Sequence, residues 1–173
     1  TGTGDLAELY YSSEELQLGD VVVMAPEHPT AVKKSSMPYQ TRLVGVTSAK
    51  PFALLMAVNE YILDNASYKP TSLAGKIIVK VSLENGVIEP GDALTSSSMP
   101  GYAMKATRSG QIIGYAFEGF DGSERSSRGV EQMYHDVSVG CADCEQRLRV
   151  FETSAKSSPG TYQTGVMTVL VNP

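Results

Sequence analysis

Two stretches, GDVVVMAPEHPTAVKK (19–34) and GDALTSSSMPGYAMKA (91–106), open on the same Gly-Asp pair and place an apolar-Lys pair, Val32-Lys33 and Met104-Lys105, at the same offset. Each runs through a polar segment into an apolar strand broken by glycine, RLVGVTS (42–48) and QIIGYAFE (111–118). Two copies of one β unit account for this. Gly tolerates positive φ and Asp bonds nearby backbone amides, so each Gly-Asp reads as a tight turn rather than as a metal or catalytic use of Asp20 or Asp92. VVVM and ALT then read as short strands. The mid-strand glycines, Gly45 and Gly114, predict a bulge or a close crossing of two backbones.

The rest of the chain fits around these units. At 173 residues, with 42% apolar residues, nine Tyr, sixteen Gly and nine Pro, it suits one turn-rich β domain. LAGKIIVKVS (73–82) and TGVMTVLVNP (164–173) read as strands, and ENGVIEPGD between the units as a turn with a hairpin signal at Asn85-Gly86. PFALLMAVNEYILDN (51–65) reads as a helix: Leu55, Val58 and Ile62, with Met56, Asn59 and Leu63, follow helical spacing, Pro51 suits the start and Asn65 the stop. Apolar on most of its circumference, it is expected to be buried within the domain or between subunits. From DGSERSSRG to ETSAKSSPG charge density rises and Ser clusters mark both borders, so 121–159 reads as an insertion in a hairpin whose flanking strands pair. The expected fold is mainly β, a compact domain of two Gly-Asp strand units over 5–173 with one buried helix and a hairpin insertion. TGTG (1–4) reads as a linker.

Several function classes drop out. A net charge of -5 with scattered basic residues offers no footprint for nucleic acid. The longest strongly apolar stretch, FALLMAV (52–58), is far short of the roughly 20 residues of a membrane span. The N-terminus lacks a signal pattern, so any export signal is expected upstream. Cys141 and Cys144 in CADC supply two ligands; with His135 they form H-x5-C-x2-C, still one short of a structural zinc site, and His28 lies remote. A small-loop disulfide or two plain thiols are the open readings, and no metal is expected. No Ser or Cys context surrounds either His, and 119–129 lacks a Walker lysine, so no cofactor and no turnover enzyme are expected. Ser96–Ser98 followed by Lys105 would make a Ser-Lys pair, but that composition is ordinary for a loop.

Asp5 and Glu8 carry the remaining chemistry. Two carboxylates can break an adjacent peptide bond when one attacks or activates as the carboxylate and the other, neutral, donates a proton to the departing amine. A flexible Gly-Asp junction distorts easily toward attack. The competing reading is a helix cap or a solvated pair. On a helix the two would share a face; on a strand they would point to opposite sides.

DLAELYY, the Gly-Asp strand, RLVGVTSAKP, the run VSLENGVIEPGDALTSSSMPGYAMKATRSGQIIGYAFEGF and the closing TVLVNP together resemble a known family. It is the C-terminal autoproteolytic intramolecular-chaperone domain of phage preneck appendage and tail-spike-like proteins, and equally the related domain that ends large bacterial surface proteins. The resemblance covers about 5–120 and 160–173; 121–159 and 51–72 depart from it. The Asp-x-Ala-Glu opening is similar to the family's self-cleavage site, which implies Gly4-Asp5 as the scissile bond and Asp5 with Glu8 as the dyad. VGVTSAKP is similar to its Gly-Val-x-Ser-x-x-Pro core strand and turn. Where the family often carries a hydroxyl residue before the cut, this chain has Gly4, with Thr3 one position back, so an acyl shift through that side chain is not available. The resemblance implies a homotrimer that registers an upstream fibre domain of the same chain, then caps it or is released, in an extracellular, cell-surface or virion setting. The alternative is a non-cleaving surface-binding module using loops 96–102 and 121–160 for a receptor or glycan.

Overall fold

A computed structural model describes residues 4–48, 51–55, 67–123 and 162–171. Their strands are β1 (Asp5–Tyr11), β2 (Val21–Met24), β3 (Val32–Lys34), β4 (Leu43–Thr47), β5 (Ala53–Leu55), β6 (Tyr68–Ser82), β7 (Ala93–Ser96), β8 (Ala103–Lys105), β9 (Gly114–Ala116) and β10 (Thr164–Val171). No helix occurs among the described residues.

The duplication is real in three dimensions. β2 pairs antiparallel with β3 and β4, and β7 pairs antiparallel with β8 and β9. Gly45 faces Val22 across the first unit and Gly114 faces Leu94 across the second. Both turns are built alike: Gly19 and Gly91 take φ of 80° and 91°. The carboxylates of Asp20 and Asp92 each accept the N–H three residues back, of Gln17 and Glu89, at 2.7 Å. Both mid-strand glycines mark close crossings, because a Cβ on Gly45 would run into the Ser72 carbonyl and one on Gly114 into the Leu170 carbonyl. Beside Gly45 the β2–β4 register also slips between Val22 and Val23.

β6 is the spine joining the two units. Its first half is flanked by β1 and β4, and its second half by β10, from Gly75↔Val171 to Ser82↔Thr164, and by β8 at Val81↔Ala103. With β10–β9, β9–β7 and β7–β8, these pairings close a five-stranded barrel, β6-β10-β9-β7-β8. Alternation along β6 and β10 sends Ile77, Val79 and Val81, and Met167, Val169 and Val171, into one core with Leu94, Ile113, Ala116 and Phe120. Ile77→Val, which removes one buried methyl group, is expected to cost about 0.5–1.5 kcal/mol, read as a lower urea midpoint at unchanged m-value.

Three expectations need correction or completion. Within 51–65, Ala53–Leu55 is a strand, parallel to β1 through Leu6↔Ala53 and Glu8↔Leu55. Phe52 is 85% exposed rather than buried; 56–65 lies outside the described residues. A run apolar on every side does not specify helix over strand, and the edge of β1 offered backbone partners that outweighed the helical spacing. Asn85-Gly86 does turn, with Gly86 at φ 92° and its N–H donating to the Leu83 carbonyl at 3.0 Å. It does not make a hairpin, because Ile88 bridges to Phe120 and β7 pairs with its own unit. β9 and β10, on either side of the expected insertion, do pair. Most of 121–159, with Cys141 and Cys144, falls outside the described residues.

Candidate functional site

The N-terminal junction is seated tightly. Asp5 opens β1 opposite Gly75, and the pairing with β6 skips Leu73, since Leu6 faces Ala74 and Ala7 faces Ser72. Gly75, at φ 108°, takes a conformation open to glycine. A Cβ there would collide with the Gly4 carbonyl and the Asp5 Cα. The Asp5 carbonyl accepts the Phe52 N–H at 3.0 Å. The Gly4-Asp5 peptide is thus held against the bare backbone of β6.

Strand alternation then separates the two carboxylates. Asp5, Ala7 and Leu9 are buried, with Asp5 only 1% exposed, while Leu6, Glu8 and Tyr10 lie on the other, half-buried face. The Tyr10 hydroxyl donates to Glu8 Oε2 at 2.9 Å. Burial first, then the hydrogen bond and charge of Glu8, push the Tyr10 phenol up to about 12, so it remains a donor throughout the neutral range. Within one chain, the structure does not bring Asp5 and Glu8 together.

A second cluster escaped sequence reasoning. Lys80, near the C-terminal end of β6, donates to Asp20 Oδ1 at 2.7 Å and to Gln17 Oε1 at 2.6 Å. Asp20 is fully buried and Lys80 nearly so. The Asp20 N–H donates to Thr47 Oγ1 at 2.9 Å, and the Thr47 hydroxyl to the Gln17 carbonyl. The Tyr102 ring lies 5.5 Å from the Lys80 ammonium. Burial pulls Lys80 below its ordinary value against the attraction of Asp20; burial, then Asp20, raises Tyr102. In the second unit the same aspartate, Asp92, pairs with Lys105 of its own hairpin at 2.8 Å on the surface. The first unit departs because β2 opposes Val22 to Lys34 where β7 opposes Leu94 to Lys105, one residue longer. Lys34 therefore stands 3.9 Å from Asp20, and Lys33 turns to Glu27 at 3.2 Å. The cluster neutralises itself away from water and acts structurally. Among the described residues no three His, Cys, Asp or Glu side chains gather as a metal site.

Much of loop 96–102 is taken up by packing between the units, with Ser98 and Pro100 left exposed. Ser96 donates to the Met37 carbonyl and accepts the Gln40 N–H, both at 2.8 Å. Gly101 donates to the Ser35 carbonyl and accepts the Val21 N–H. Lys105 is paired with Asp92 rather than with the serines. From the first unit Tyr39 reaches back with φ 54°, its hydroxyl accepting the Thr107 N–H at 2.7 Å and the Asn85 amide at 3.3 Å. The Arg108 guanidinium lies 4.1 Å from its ring centre. A tyrosine in left-handed backbone leaves no mark in a single sequence.

No protein-family model matches the chain, and no curated protein does. Among solved structures its fold is similar to the C-terminal fragment of bacteriophage phi29 gene product 12. That match has 13% identity and a TM-score of 0.56, and covers 97% of this chain and 100% of the fragment. The pre-mature form of the same gene product matches at 12% identity and a TM-score of 0.51, over 68% of this chain. That alignment takes in 19% of the longer protein. At such identities the likeness is one of fold, and it is the fold that the sequence resemblance implied.

Proposed function

We propose that this chain is a homotrimeric assembly module of a virion or cell-surface fibre: it registers three copies of an upstream fibre domain, and self-cleavage between Gly4 and Asp5 then separates it. The observation that carries the reading is the match of fold along the whole of a fragment described as C-terminal, within a protein whose longer form is described as pre-mature. The seating of the Gly4-Asp5 peptide against Gly75 supports the cleavage half, because a bond fixed in one geometry beside a carboxylate is oriented for attack.

Sedimentation equilibrium of the chain is expected to return three times 18.5 kDa. Placed behind an inert N-terminal partner protein, the chain is expected to yield a product that begins at Asp5. Asp5→Ala and Glu8→Ala each abolish that product in an intact-mass measurement. A monomer that stays whole overturns the reading. In the rival surface-binding module, Ser96 and Ser97 are buried and only Ser98 and Pro100 of loop 96–102 are exposed; its other loop, 121–160, is tested by deletion in a glycan or cell-binding assay, where undiminished binding removes it.

A further inference from the structure

The two carboxylates that the cleavage reading requires stand on opposite faces of β1. We infer that the site is completed in trans: Asp5 acts on its own chain, and the proton comes from Glu8 of a neighbouring copy. The inference rests on the proposed cleavage and adds to it the partner that supplies the second group.

Three observations carry it. β1 is a strand over Asp5–Tyr11 whose burial alternates from Asp5 to Tyr10, and the skipped residue, Leu73, belongs to β6. Side chains three apart on such a strand project to opposite sides, so Glu8 faces away from the side of β1 on which the Asp5 carboxylate lies. Asp5 is buried at the start of β1, whereas Glu8 is half-buried and held by the Tyr10 hydroxyl at 2.9 Å. A carboxyl group kept on an outward face and held by a neighbouring hydroxyl is placed to meet a second molecule.

The Asp5 carboxylate oxygen attacks the carbonyl carbon of Gly4, closing a six-membered ring through the Asp5 nitrogen. The Gly4 C–Asp5 N bond breaks as the neighbour's Glu8, in its protonated form, gives its proton to the departing nitrogen. Water then opens the anhydride between Gly4 and the Asp5 side chain, leaving a Gly4 carboxylate, a free Asp5 amine and the restored Asp5 carboxylate. Of the two protons that this hydrolysis releases, one returns to Glu8 through solvent and the other protonates the new Asp5 amine.

The test is complementation between two inactive, near-isosteric variants, Asp5→Asn and Glu8→Gln, each behind an N-terminal partner of distinct mass. Each alone is expected to remain whole. Co-expressed at equal amounts, only the Glu8→Gln chains are cut, and in a cyclic trimer about half of them are, since half have an Asp5→Asn neighbour on the donating side. Cleavage of wild type with none in the mixture overturns trans donation and leaves the cleavage reading intact. Cleavage of Glu8→Gln alone overturns it as well, by removing Glu8 from the reaction. A wild-type chain that stays whole overturns both readings, and circular dichroism that matches wild type for each variant assigns any loss to chemistry rather than folding.

Discussion

Lys80→Met is expected to lower the stability of the domain by about 3–5 kcal/mol, because it removes one partner of a buried ion pair and leaves the other uncompensated. Asp20 has no exposed surface, and Lys34 at 3.9 Å is too distant to replace a contact of 2.7 Å. The double variant Asp20→Asn, Lys80→Met is expected to recover much of the loss, since an amide can still accept the Gln17 N–H while no bare charge stays in the interior. Urea unfolding of the four proteins in the cycle measures the coupling. Lys105→Met in the second unit provides the contrast: the partner Asp92 is in water, and the midpoint is expected to stay within error of wild type. Equal losses for Lys80→Met and Lys105→Met would show that the first pair owes nothing to its burial.

Gly45→Ala and Gly114→Ala are each expected to cost more than about 3 kcal/mol, at the upper end of overpacking effects, because what the new methyl meets is backbone and cannot rotate away. At Gly45 the obstacle is the Ser72 carbonyl in β6; at Gly114 it is the Leu170 carbonyl in β10. Gly86→Ala is the control for glycine chemistry without a crossing, since the space around Gly86 is open and only its φ of 92° opposes the change. It is expected to lose about 1–2 kcal/mol. If all three variants lost the same amount, backbone conformation rather than the crossing would be the reason for glycine in the strands.

What the sequence revealed of the fold came from chemistry that acts locally. Gly-Asp turns, Gly45 and Gly114, and the alternation in KIIVKVS and GVMTVLV each carry their meaning within a few residues, and the two-unit architecture follows from them. PFALL failed because its conformation is decided by the edge of β1, some forty-five residues away. Asn85-Gly86 turned as expected, but the strand after it was claimed by its own unit. The candidate site divided the same way. Asp5 and Glu8 were visible as a pair, yet their faces depended on whether 5–11 is helix or strand, which DLAELYY alone leaves open. Lys80 was legible only as an odd charge in an apolar run, since its partner lies sixty positions earlier.

The closure of the barrel has a kinetic meaning. β10 pairs with eight residues of β6, but the two strands lie about eighty positions apart, so the contact that seals the ring is among the last that a folding chain can form by chance encounter. Chains dominated by such distant pairings fold in milliseconds to seconds rather than microseconds. Until β10 arrives, β6 from Gly75 to Ser82 is an unprotected edge with a ready row of donors and acceptors. Its complementary strand exists in every other copy. Crowded refolding is therefore expected to produce exchanged dimers and larger chains of copies linked through β10, and dilute refolding to suppress them.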